Sequence, residues 1–342
     1  MIFKTLLLAL TAAFVFAVSS AALIRRWASG RRLLMDLPSA RSSHSSPTAR
    51  GGGVGIVLGF YSSIAILWYC GLLETRMLAA LTVAGGTVAL VGLFDDLKSL
   101  PIYIRFSAHV GAAIFAVYMI GGVPQGFLAN WGLQTPWFGF ALAVLAILAG
   151  INFFNFMDGI DGIAGSETVF MGIAGAILNW RIDGDPGLTA AMLCLAAASV
   201  GFLILNWPPA SIFMGDVGSG FLGLTLVLLG LAATSKSGIP VEAWPILGGV
   251  FLVDAIVTLI RRIARGDRWL EPHRLHGYQH LARRWGSHRT VTLMVVVINI
   301  FWLFPWAWLA VSKPHYAIAD LAAALLPLTA LAFFLGAGRR EN

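Results

Sequence analysis

Residues 141–178 read ALAVLAILAGINFFNFMDGIDGIAGSETVFMGIAGAIL, two hydrophobic runs separated by a short polar turn. With its flanks, each run approaches the roughly 20 residues that a helix needs to cross a bilayer core. Acidic and amide side chains lie between the runs, where one helix ends and the next begins. The stretch predicts two transmembrane helices with a polar site at one membrane surface.

The composition extends this pattern to the whole chain. Only 11% of the 342 residues are charged, against about 25% in an average globular protein, and 58% are hydrophobic. These values, with 38 glycines and 22 phenylalanines, exclude a water-soluble fold, a disordered chain and a coiled coil. Cys70 and Cys194 lie in hydrophobic stretches, so neither a disulfide framework nor a cysteine metal site is expected. The predicted fold class is an all-α, polytopic integral membrane protein.

Eleven stretches match the length of a membrane-spanning helix. They lie near 3–24, 54–73, 77–94, 106–122, 137–154, 163–180, 188–206, 218–235, 243–260, 291–311 and 317–336. The first is interpreted as an uncleaved helix rather than a signal peptide, because the arginines that follow it outweigh Lys4. No internal repeat is visible, so residues 1–342 are expected to form one transmembrane domain.

The distribution of positive charge orients these spans. Alternating them places 18 of the 23 lysine and arginine residues on one side, and positive residues favour the cytoplasm. The N-terminus is therefore predicted outside and the C-terminus in the cytoplasm. Cytoplasmic loops are expected near 25–53, 95–105, 155–162, 207–217 and 261–290.

Five aspartates fall at span ends on this cytoplasmic side: Asp95, Asp96, Asp158, Asp161 and Asp216. Crowded carboxylates repel one another unless a divalent cation lies among them. Oxygen ligands beside glycine-rich turns suit Mg²⁺, or Mn²⁺, better than zinc. The alternative is that Asp161 and Asp216 are simply N-caps of the helices that follow them.

The spacing around Asp158 adds geometry to this hypothesis. Asn152, Asn155, Asp158 and Asp161 recur every three residues, a spacing that drifts around a regular helix. All four can face one pocket only if the helix ends near Asp158, where glycines offer a break. Of the neighbours Asp95 and Asp96, one is expected to face the site and the other to lie behind it.

Two cytoplasmic loops carry candidate anion-binding residues. The first contains His44, Arg50 and three glycines before the second span, which suit close backbone approach to a phosphate; the alternative is a loop that binds anionic lipid. The second contains His273, Arg274 and His276. A helix beginning after Pro272 would place its histidines on one face, for zinc or, as the arginines favour, for phosphate.

Carboxylates, cations and a membrane surface together indicate phosphoryl transfer between a soluble nucleotide-activated donor and a lipid acceptor. Both reactants are anionic, since a lipid monophosphate carries close to two charges at neutral pH. Their repulsion is the barrier that a divalent cation and arginine or histidine side chains would lower.

Five ordered motifs carry a resemblance to a known family. They are the PTxRxGG-like loop (47–53), the paired Asp95 and Asp96, NxxNxxDGxDG (152–162), MGDxGS (214–219) and the late histidine loop. In these motifs the chain resembles the polyprenyl-phosphate N-acetylhexosamine-1-phosphate transferase superfamily. The resemblance implies transfer of a sugar 1-phosphate from a UDP-N-acetylhexosamine to undecaprenyl phosphate, with release of UMP, at the cytoplasmic face of the bacterial inner membrane.

The resemblance also implies roles for individual residues. Asp216, with Asp158, resembles the Mg²⁺ ligands, and Asp95, Asp96, Asp158 and Asp161 the catalytic acids. Asn152, Asn155, Arg105, His44, Arg50, His273, Arg274 and His276 resemble substrate-binding positions. Membrane lipids and a second copy of the chain are expected partners, whereas nucleic acid is not.

The late loop reads HRLH, which departs from the three adjacent histidines of the muramoyl-pentapeptide branch and from the HLHHR run of many N-acetylglucosamine enzymes. The resemblance therefore favours the branch that initiates O-antigen and other surface polysaccharides. Phospho-N-acetylmuramoyl-pentapeptide transfer stays an alternative. Two other classes remain open: a membrane transporter, and a prenyltransferase with aspartate-rich motifs.

Overall fold

The computed structural model describes residues 2–31, 34–36, 47–122, 135–267 and 273–340. Its helices are α1 (Ile2–Arg31), α2 (Gly53–Tyr69), α3 (Thr75–Leu97), α4 (Ile102–Ile120), α5 (Pro136–Met157), α6 (Ile163–Arg181), α7 (Pro186–Asn206), α8 (Asp216–Ser237), α9 (Ala243–Leu247), α10 (Gly249–Ala264), α11 (Gly277–Trp285), α12 (His288–Ser312) and α13 (Ala317–Leu335). Two short antiparallel strands, β1 (Met35–Asp36) and β2 (Thr48–Ala49), precede α2. The predicted all-α class is confirmed.

Ten of the eleven predicted spans coincide with one helix each. The ninth span coincides with two successive helices, α9 and α10. Within the described ranges, eight helices are long and apolar enough to cross a membrane: α1, α3, α4, α5, α7, α8, α12 and α13. Helix α2 is apolar but has only 17 residues. The polytopic membrane character is thus confirmed. The count of eleven crossings and the sides of the two termini stay predictions.

Helix α8 is the centre of the bundle, with 94% of its most apolar stretch buried. It packs against α2, α3, α5, α6 and α7. The approach to α5 is close, since a Cβ at Gly223 would lie 2.2 Å from the carbonyl oxygen of Gly150. The first residue of this central helix is Asp216. The central position of α8 therefore places an aspartate in the middle of one end of the bundle.

A π-helical segment, Ala80–Ala84, interrupts α3. The hydroxyl of Tyr61 on α2 donates to the carbonyl oxygens of Leu81 and Thr82, at 3.2 and 3.0 Å. Within an apolar environment an unpaired carbonyl is costly, so this tyrosine stabilises the irregular turn. Helix α3 continues past it to the paired aspartates.

The loop before α2 docks on the loop before α8. Strand β2 forms a parallel bridge from Ala49 to Ile212, and the Gly52 and Gly53 N–H groups donate to Phe213 and Met214 carbonyls, both at 2.9 Å. A Cβ at Gly53 would lie 2.3 Å from the Cα of Gly218. Gly53 therefore allows the loop to pack closely against α8. The sequence had instead suggested that the loop glycines allow close approach to a phosphate.

The predicted membrane orientation can be tested by cysteine labelling. In a background with Cys70 and Cys194 replaced by alanine, Lys98→Cys lies at the same end of the bundle as Asp216. It is expected to react with an impermeant maleimide only from the cytoplasm. Lys236→Cys, at the opposite end of α8, is expected to react only from outside. The reverse pattern would overturn the orientation, and labelling of both from one side would overturn the alternation of the spans.

Candidate active site

A cavity of about 350 Å³ opens where the ends of α5, α7 and α8 meet the loops before α2 and α11. Its described lining combines acids, bases, amides and one aromatic ring. The residues are Asp36, Arg50, Asn155, Asp158, Gly159, Ile160, Asp161, Asn206, Phe213, Met214, Gly215, Asp216, Ser219, Arg274, Gln279 and His288. Six residues predicted for the site, from four separate stretches of sequence, therefore lie together.

Arg50 joins two of the predicted acids. Its Nη2 lies 2.9 Å from Asp216 Oδ1 and its Nε lies 2.9 Å from Asp96 Oδ1. Burial alone would lower the pKa of Arg50, but Asp96 and Asp216 raise it above its ordinary value. Arg105 pairs with Asp95 and lies 3.8 Å from Asp216 Oδ2. Two guanidinium groups thus hold three carboxylates together at this end of the bundle.

The Asp96 side chain is completely buried and binds the beginning of α8. Its two oxygens accept the backbone N–H groups of Asp216 and Val217, at 3.0 and 3.2 Å. A carboxylate at a helix N-terminus satisfies free N–H groups and complements the helix dipole. Asp96 is therefore a helix cap supplied by α3, whereas Asp216 and Asp161 form no capping hydrogen bond for their own helices within the described chain.

Asp158 follows the last residue of α5, which ends at Met157 as the sequence predicts. No hydrogen bond to its carboxylate is formed by the described residues. Burial, and then Asp216, Asp96 and Asp161, raise the pKa of Asp158 well above its ordinary value, although Arg50 opposes the shift. A cation bound beside this carboxylate would keep it ionised.

Asn155 and Ser219 support the acid cluster from α5 and α8. The Asn155 amide donates to Ser219 Oγ at 3.2 Å, and Asn155 lines the same cavity as Asp216. Asn155 lies in the last turn of α5 and Asp158 directly after its end, and both side chains line the cavity. Of the four residues expected to face one pocket, the structure brings Asn155, Asp158 and Asp161 to the cavity.

Asp161 links three parts of the chain. Its Oδ2 accepts the Ala210 N–H at 3.1 Å and lies 3.3 Å from His288 Nδ1, and its carbonyl accepts the Thr292 hydroxyl at 3.0 Å. The next residue, Gly162, donates its N–H to Asn206 Oδ1 at 3.0 Å. This network fixes the turn between α5 and α6 against the loop before α8 and the beginning of α12.

The late histidine loop is organised by Asp254 of α10. Its carboxylate accepts the backbone N–H groups of Gly277 and Tyr278 at 2.9 and 3.0 Å, and lies 3.2 Å from His276 Nδ1. The helix considered after Pro272 does not include His273 or His276, because α11 begins only at Gly277 and His276 is its N-cap. Asp254 thus anchors the loop through three hydrogen-bonding groups.

Aromatic packing joins this loop to the acid cluster. The rings of His273 and His276 stack with centroids 5.0 Å apart, and Tyr278 donates its hydroxyl to the Phe156 carbonyl at 3.0 Å. Gly159 is required there, because a Cβ on it would lie 2.1 Å from the Tyr278 oxygen. Burial, with His276 and Arg262, lowers the pKa of His273 to about 4.

Several predicted site residues lie away from the cavity wall. Asn152 is exposed and donates to the Leu148 carbonyl of its own helix. His276 is 2% exposed and is engaged by Asp254. The cavity wall also lacks four residues that take part in the networks described above: Asp95, Asp96, Arg105 and His273. His44 lies outside the described residues. Direct contact of these residues with a substrate stays a prediction.

The structure adds cavity residues that sequence reasoning missed: Asn206, Phe213, Ser219, Gln279 and His288. Ser219 lies within the quoted MGDxGS motif and Phe213 directly precedes it, so proximity to the predicted ligand Asp216 was an available signal. Asn206 reaches Gly162, and His288 reaches Asp161, only through tertiary contacts. Neither has a neighbouring motif that distinguishes it in sequence.

The cavity suits a cation that brings its own phosphate ligands. Within the described ranges, no three histidine, cysteine, aspartate or glutamate side chains are grouped as a complete metal site. Mg²⁺ commonly uses one or two protein carboxylates, with water and substrate phosphates as its other ligands. Asp158 and Asp216 both line the cavity, and none of the described residues donates a hydrogen bond to the Asp158 carboxylate. The donor set therefore fits Mg²⁺ bound together with a phosphorylated substrate.

The role of Asp254 leads to a prediction. Asp254→Ala leaves His276 and two backbone N–H groups buried without their acceptor, at a cost of about 1–3 kcal/mol for each unsatisfied donor. We expect a lower unfolding midpoint in detergent and at least tenfold weaker donor use, because Arg274 and Gln279 lose their support. Thr258→Val removes only one hydrogen bond to the same carboxylate and is the matched control. Wild-type stability and activity in Asp254→Ala would contradict the anchoring role.

Comparison with known proteins identifies the family. The family model described as "Glycosyl transferase family 4" matches residues 78–234. A phospho-N-acetylmuramoyl-pentapeptide-transferase of Synechococcus sp. is 31% identical over 278 residues, which cover 75% of this chain and 75% of that protein. The chain belongs to glycosyl transferase family 4. The family match includes α5, the turn with Asp158 and Asp161, and most of α8.

Other members of glycosyl transferase family 4 have similar coverage. A probable undecaprenyl-phosphate N-acetylglucosaminyl 1-phosphate transferase of Bacillus subtilis is 29% identical over 275 residues, 78% of this chain and 74% of that protein. A decaprenyl-phosphate N-acetylglucosaminephosphotransferase of Mycolicibacterium smegmatis is 27% identical over 293 residues, 75% of this chain and 71% of that protein. Family membership and the apolar helices make the chain a multi-pass membrane enzyme.

Proposed function

We propose that the protein transfers an N-acetylhexosamine 1-phosphate from a UDP-sugar to undecaprenyl phosphate, giving undecaprenyl-diphospho-sugar and UMP. The observation that carries this proposal is the meeting of Asp158, Asp216, Arg50 and Arg274 in one cavity at the ends of apolar helices. The names of the Bacillus and Mycolicibacterium relatives support a polyprenyl phosphate acceptor and a hexosamine 1-phosphate group.

In the proposed reaction, an oxygen of the lipid phosphate attacks the β-phosphorus of the UDP-sugar. The bond between that phosphorus and the oxygen bridging to the α-phosphate breaks, and UMP leaves with that oxygen. The second pKa of a phosphate monoester is about 6, so the acceptor is mostly ionised at neutral pH and a strong base is not required. Of the four aspartates predicted as catalytic, Asp158 and Asp161 line the cavity, while Asp95 and Asp96 hold arginines beside it.

The main work of the side chains is to bring two anions together. Arg50 and Arg274 line the cavity and can form paired hydrogen bonds to phosphate oxygens. When bound, Mg²⁺ would neutralise the pyrophosphate, with Asp216 and Asp158 as its protein ligands. Holding both reactants in this arrangement supplies positioning, which accounts for much of the rate in phosphoryl transfer.

The polar cavity lies at one end of a bundle of apolar helices, which suits an enzyme whose acceptor is in the membrane and whose donor is in water. We place it at the cytoplasmic face of the bacterial inner membrane, from the charge distribution of the loops. The product carries the first sugar of a chain on a lipid. Initiation of O-antigen or another cell-envelope polysaccharide is therefore the proposed role.

The test uses purified protein in detergent with undecaprenyl phosphate, Mg²⁺ and one UDP-sugar at a time, followed by measurement of UMP. We expect UMP with at least one UDP-N-acetylhexosamine, its loss with a chelator, and its recovery when Mg²⁺ is restored. Asp158→Asn, which removes one of the proposed Mg²⁺ ligands, is expected to release no UMP and serves as the negative control. No UMP with any donor would overturn the proposal; pyrophosphate release would indicate prenyl transfer, and solute uptake by proteoliposomes without UMP would indicate a transporter.

A second candidate is transfer of phospho-N-acetylmuramoyl-pentapeptide, which the name of the Synechococcus relative favours. Both reactions release UMP, so only the donor distinguishes them. The same assay therefore includes UDP-N-acetylmuramoyl-pentapeptide beside UDP-N-acetylglucosamine. UMP from the pentapeptide donor alone would decide for the second candidate.

A further inference from the structure

His288 is a cavity residue for which neither the motifs nor the family resemblance supplies a role. It is the first residue of α12, and Ser287 caps the helix by accepting the Thr290 N–H at 3.2 Å. Its side chain lines the same cavity as Asp158 and Arg274. The imidazole is 19% exposed and Asp161 beside it 14%, so the pair is largely removed from water while still facing the cavity.

One ring nitrogen of His288 is occupied by the protein. Nδ1 lies 3.3 Å from Asp161 Oδ2 and 3.4 Å from the Asp161 backbone nitrogen, whose N–H it can accept. A carboxylate or backbone group on one imidazole nitrogen fixes the ring orientation and leaves the other nitrogen for a ligand. Within the described chain, no hydrogen bond to Nε2 is formed.

The anchor that holds this imidazole is itself rigid. Asp161 also accepts the Ala210 N–H through its carboxylate and the Thr292 hydroxyl through its carbonyl. Thr292 lies one turn after His288 on α12, so two points of the same helix are tied to one residue. An imidazole held in this way loses little freedom when it binds a ligand, which favours affinity.

The position of the pair indicates which reactant it meets. Asp161 and Ala210 lie in connections between helices, and His288 is the first residue of α12. All three residues therefore lie at the margin of the bundle rather than along an apolar helix face. A lipid acceptor would approach between helices, whereas a water-soluble donor would enter through these connections. We propose that Nε2 of His288 hydrogen-bonds the nucleotide-sugar donor, with Asp161 as its positioning residue. This inference rests on the proposed transferase function.

The experiment exploits two amides that reproduce different imidazole nitrogens. The amide nitrogen of Gln reaches the position of Nε2, and that of Asn reaches only the position of Nδ1. His288→Gln is therefore expected to bind UDP-N-acetylglucosamine within about threefold of wild type, and His288→Asn about tenfold more weakly, the loss that one hydrogen bond gives. Calorimetric titration in detergent, without acceptor, measures both affinities.

Arg289→Gln is the matched control, because Arg289 is exposed and adjacent in sequence. It is expected to bind the donor like wild type, and the KM for undecaprenyl phosphate is expected to be unchanged in all three variants. A parallel titration with UDP alone locates the contact. A defect with both ligands assigns His288 to the nucleotide, and a defect only with UDP-N-acetylglucosamine assigns it to the sugar.

The outcomes separate this inference from the proposed function. Equal donor affinity in wild type and His288→Asn would overturn the contact, as would equal weakening in the Asn and Gln variants with unchanged unfolding midpoints. Failure of the wild type to bind or turn over any UDP-sugar would instead overturn the transferase proposal. UMP formation by the wild type, with selective loss of donor affinity in His288→Asn, supports both.

Discussion

Asp216→Asn is expected to lower UMP release by about 100-fold or more, the scale of losing one preorganised electrostatic group in an active site. The amide keeps the size and most hydrogen bonds of the side chain. It removes the negative charge that Arg50 pairs with at 2.9 Å and that a divalent cation would need. The measurement is the rate of UMP release across a magnesium titration, with the unfolding midpoint recorded for the same sample.

The matched control for Asp216→Asn is Asp183→Asn at the opposite end of the bundle. Asp183 is exposed and has a positive φ of 52°, a conformation that asparagine tolerates well. It is expected to retain wild-type activity. Near-normal turnover of Asp216→Asn in Mg²⁺ would remove Asp216 from the proposed metal site, whereas a magnesium requirement shifted to higher concentration would support it.

Asp96→Ala is expected to lower the free energy of unfolding by about 3 kcal/mol, because hydrogen bonds to a charged group contribute about 1.5–3 kcal/mol each. The substitution deprives the Asp216 and Val217 N–H groups of their acceptor and leaves Arg50 with one carboxylate fewer. Asp96→Asn is expected to lose less, since its amide oxygen still accepts one N–H. Reversible unfolding in detergent measures the differences.

A carboxylate that caps a helix without an arginine partner provides the comparison. Asp185 accepts the Leu188 N–H at 2.9 Å at the beginning of α7, and Asp185→Ala is expected to cost about 1 kcal/mol. It is also expected to leave UMP release unchanged. A loss of activity in Asp96→Ala without any loss of stability would contradict the capping role and support the chemical role predicted for Asp96 from the family resemblance.

The helices were predictable because their cause is local. Each hydrophobic run must satisfy its own backbone hydrogen bonds in lipid, so length and hydropathy are sufficient to locate it. The π-helical segment of α3 was not predictable in the same way. It depends on the Tyr61 hydroxyl, which comes from another helix and compensates two carbonyls.

The meeting of the acids was also predictable, because Asp158 and Asp216 stand at span ends that alternation places on one side. The structural role of each individual aspartate was not predictable. Whether an aspartate caps a neighbouring helix, as Asp96 does, or anchors a loop, as Asp254 does, depends on contacts between distant residues. The same limit applies to the beginning of the helix in the histidine loop. The hydrogen bond from the Gly277 N–H to Asp254 fixes the first residue of α11, and Asp254 lies on another helix. The sequence next to Pro272 therefore does not determine where α11 begins.

The burial of α8 on all sides has a consequence for insertions and deletions. One residue added within Asp216–Ser237 would rotate one end of the helix by about 100° and shift it by about 1.5 Å relative to the other. Asp216 would turn away from Arg50, or the close pair Gly150 and Gly223 would separate. We therefore expect the central helix to tolerate no change in length, whereas the connections at the two ends of the bundle can lengthen or shorten without moving Asp216 from Arg50.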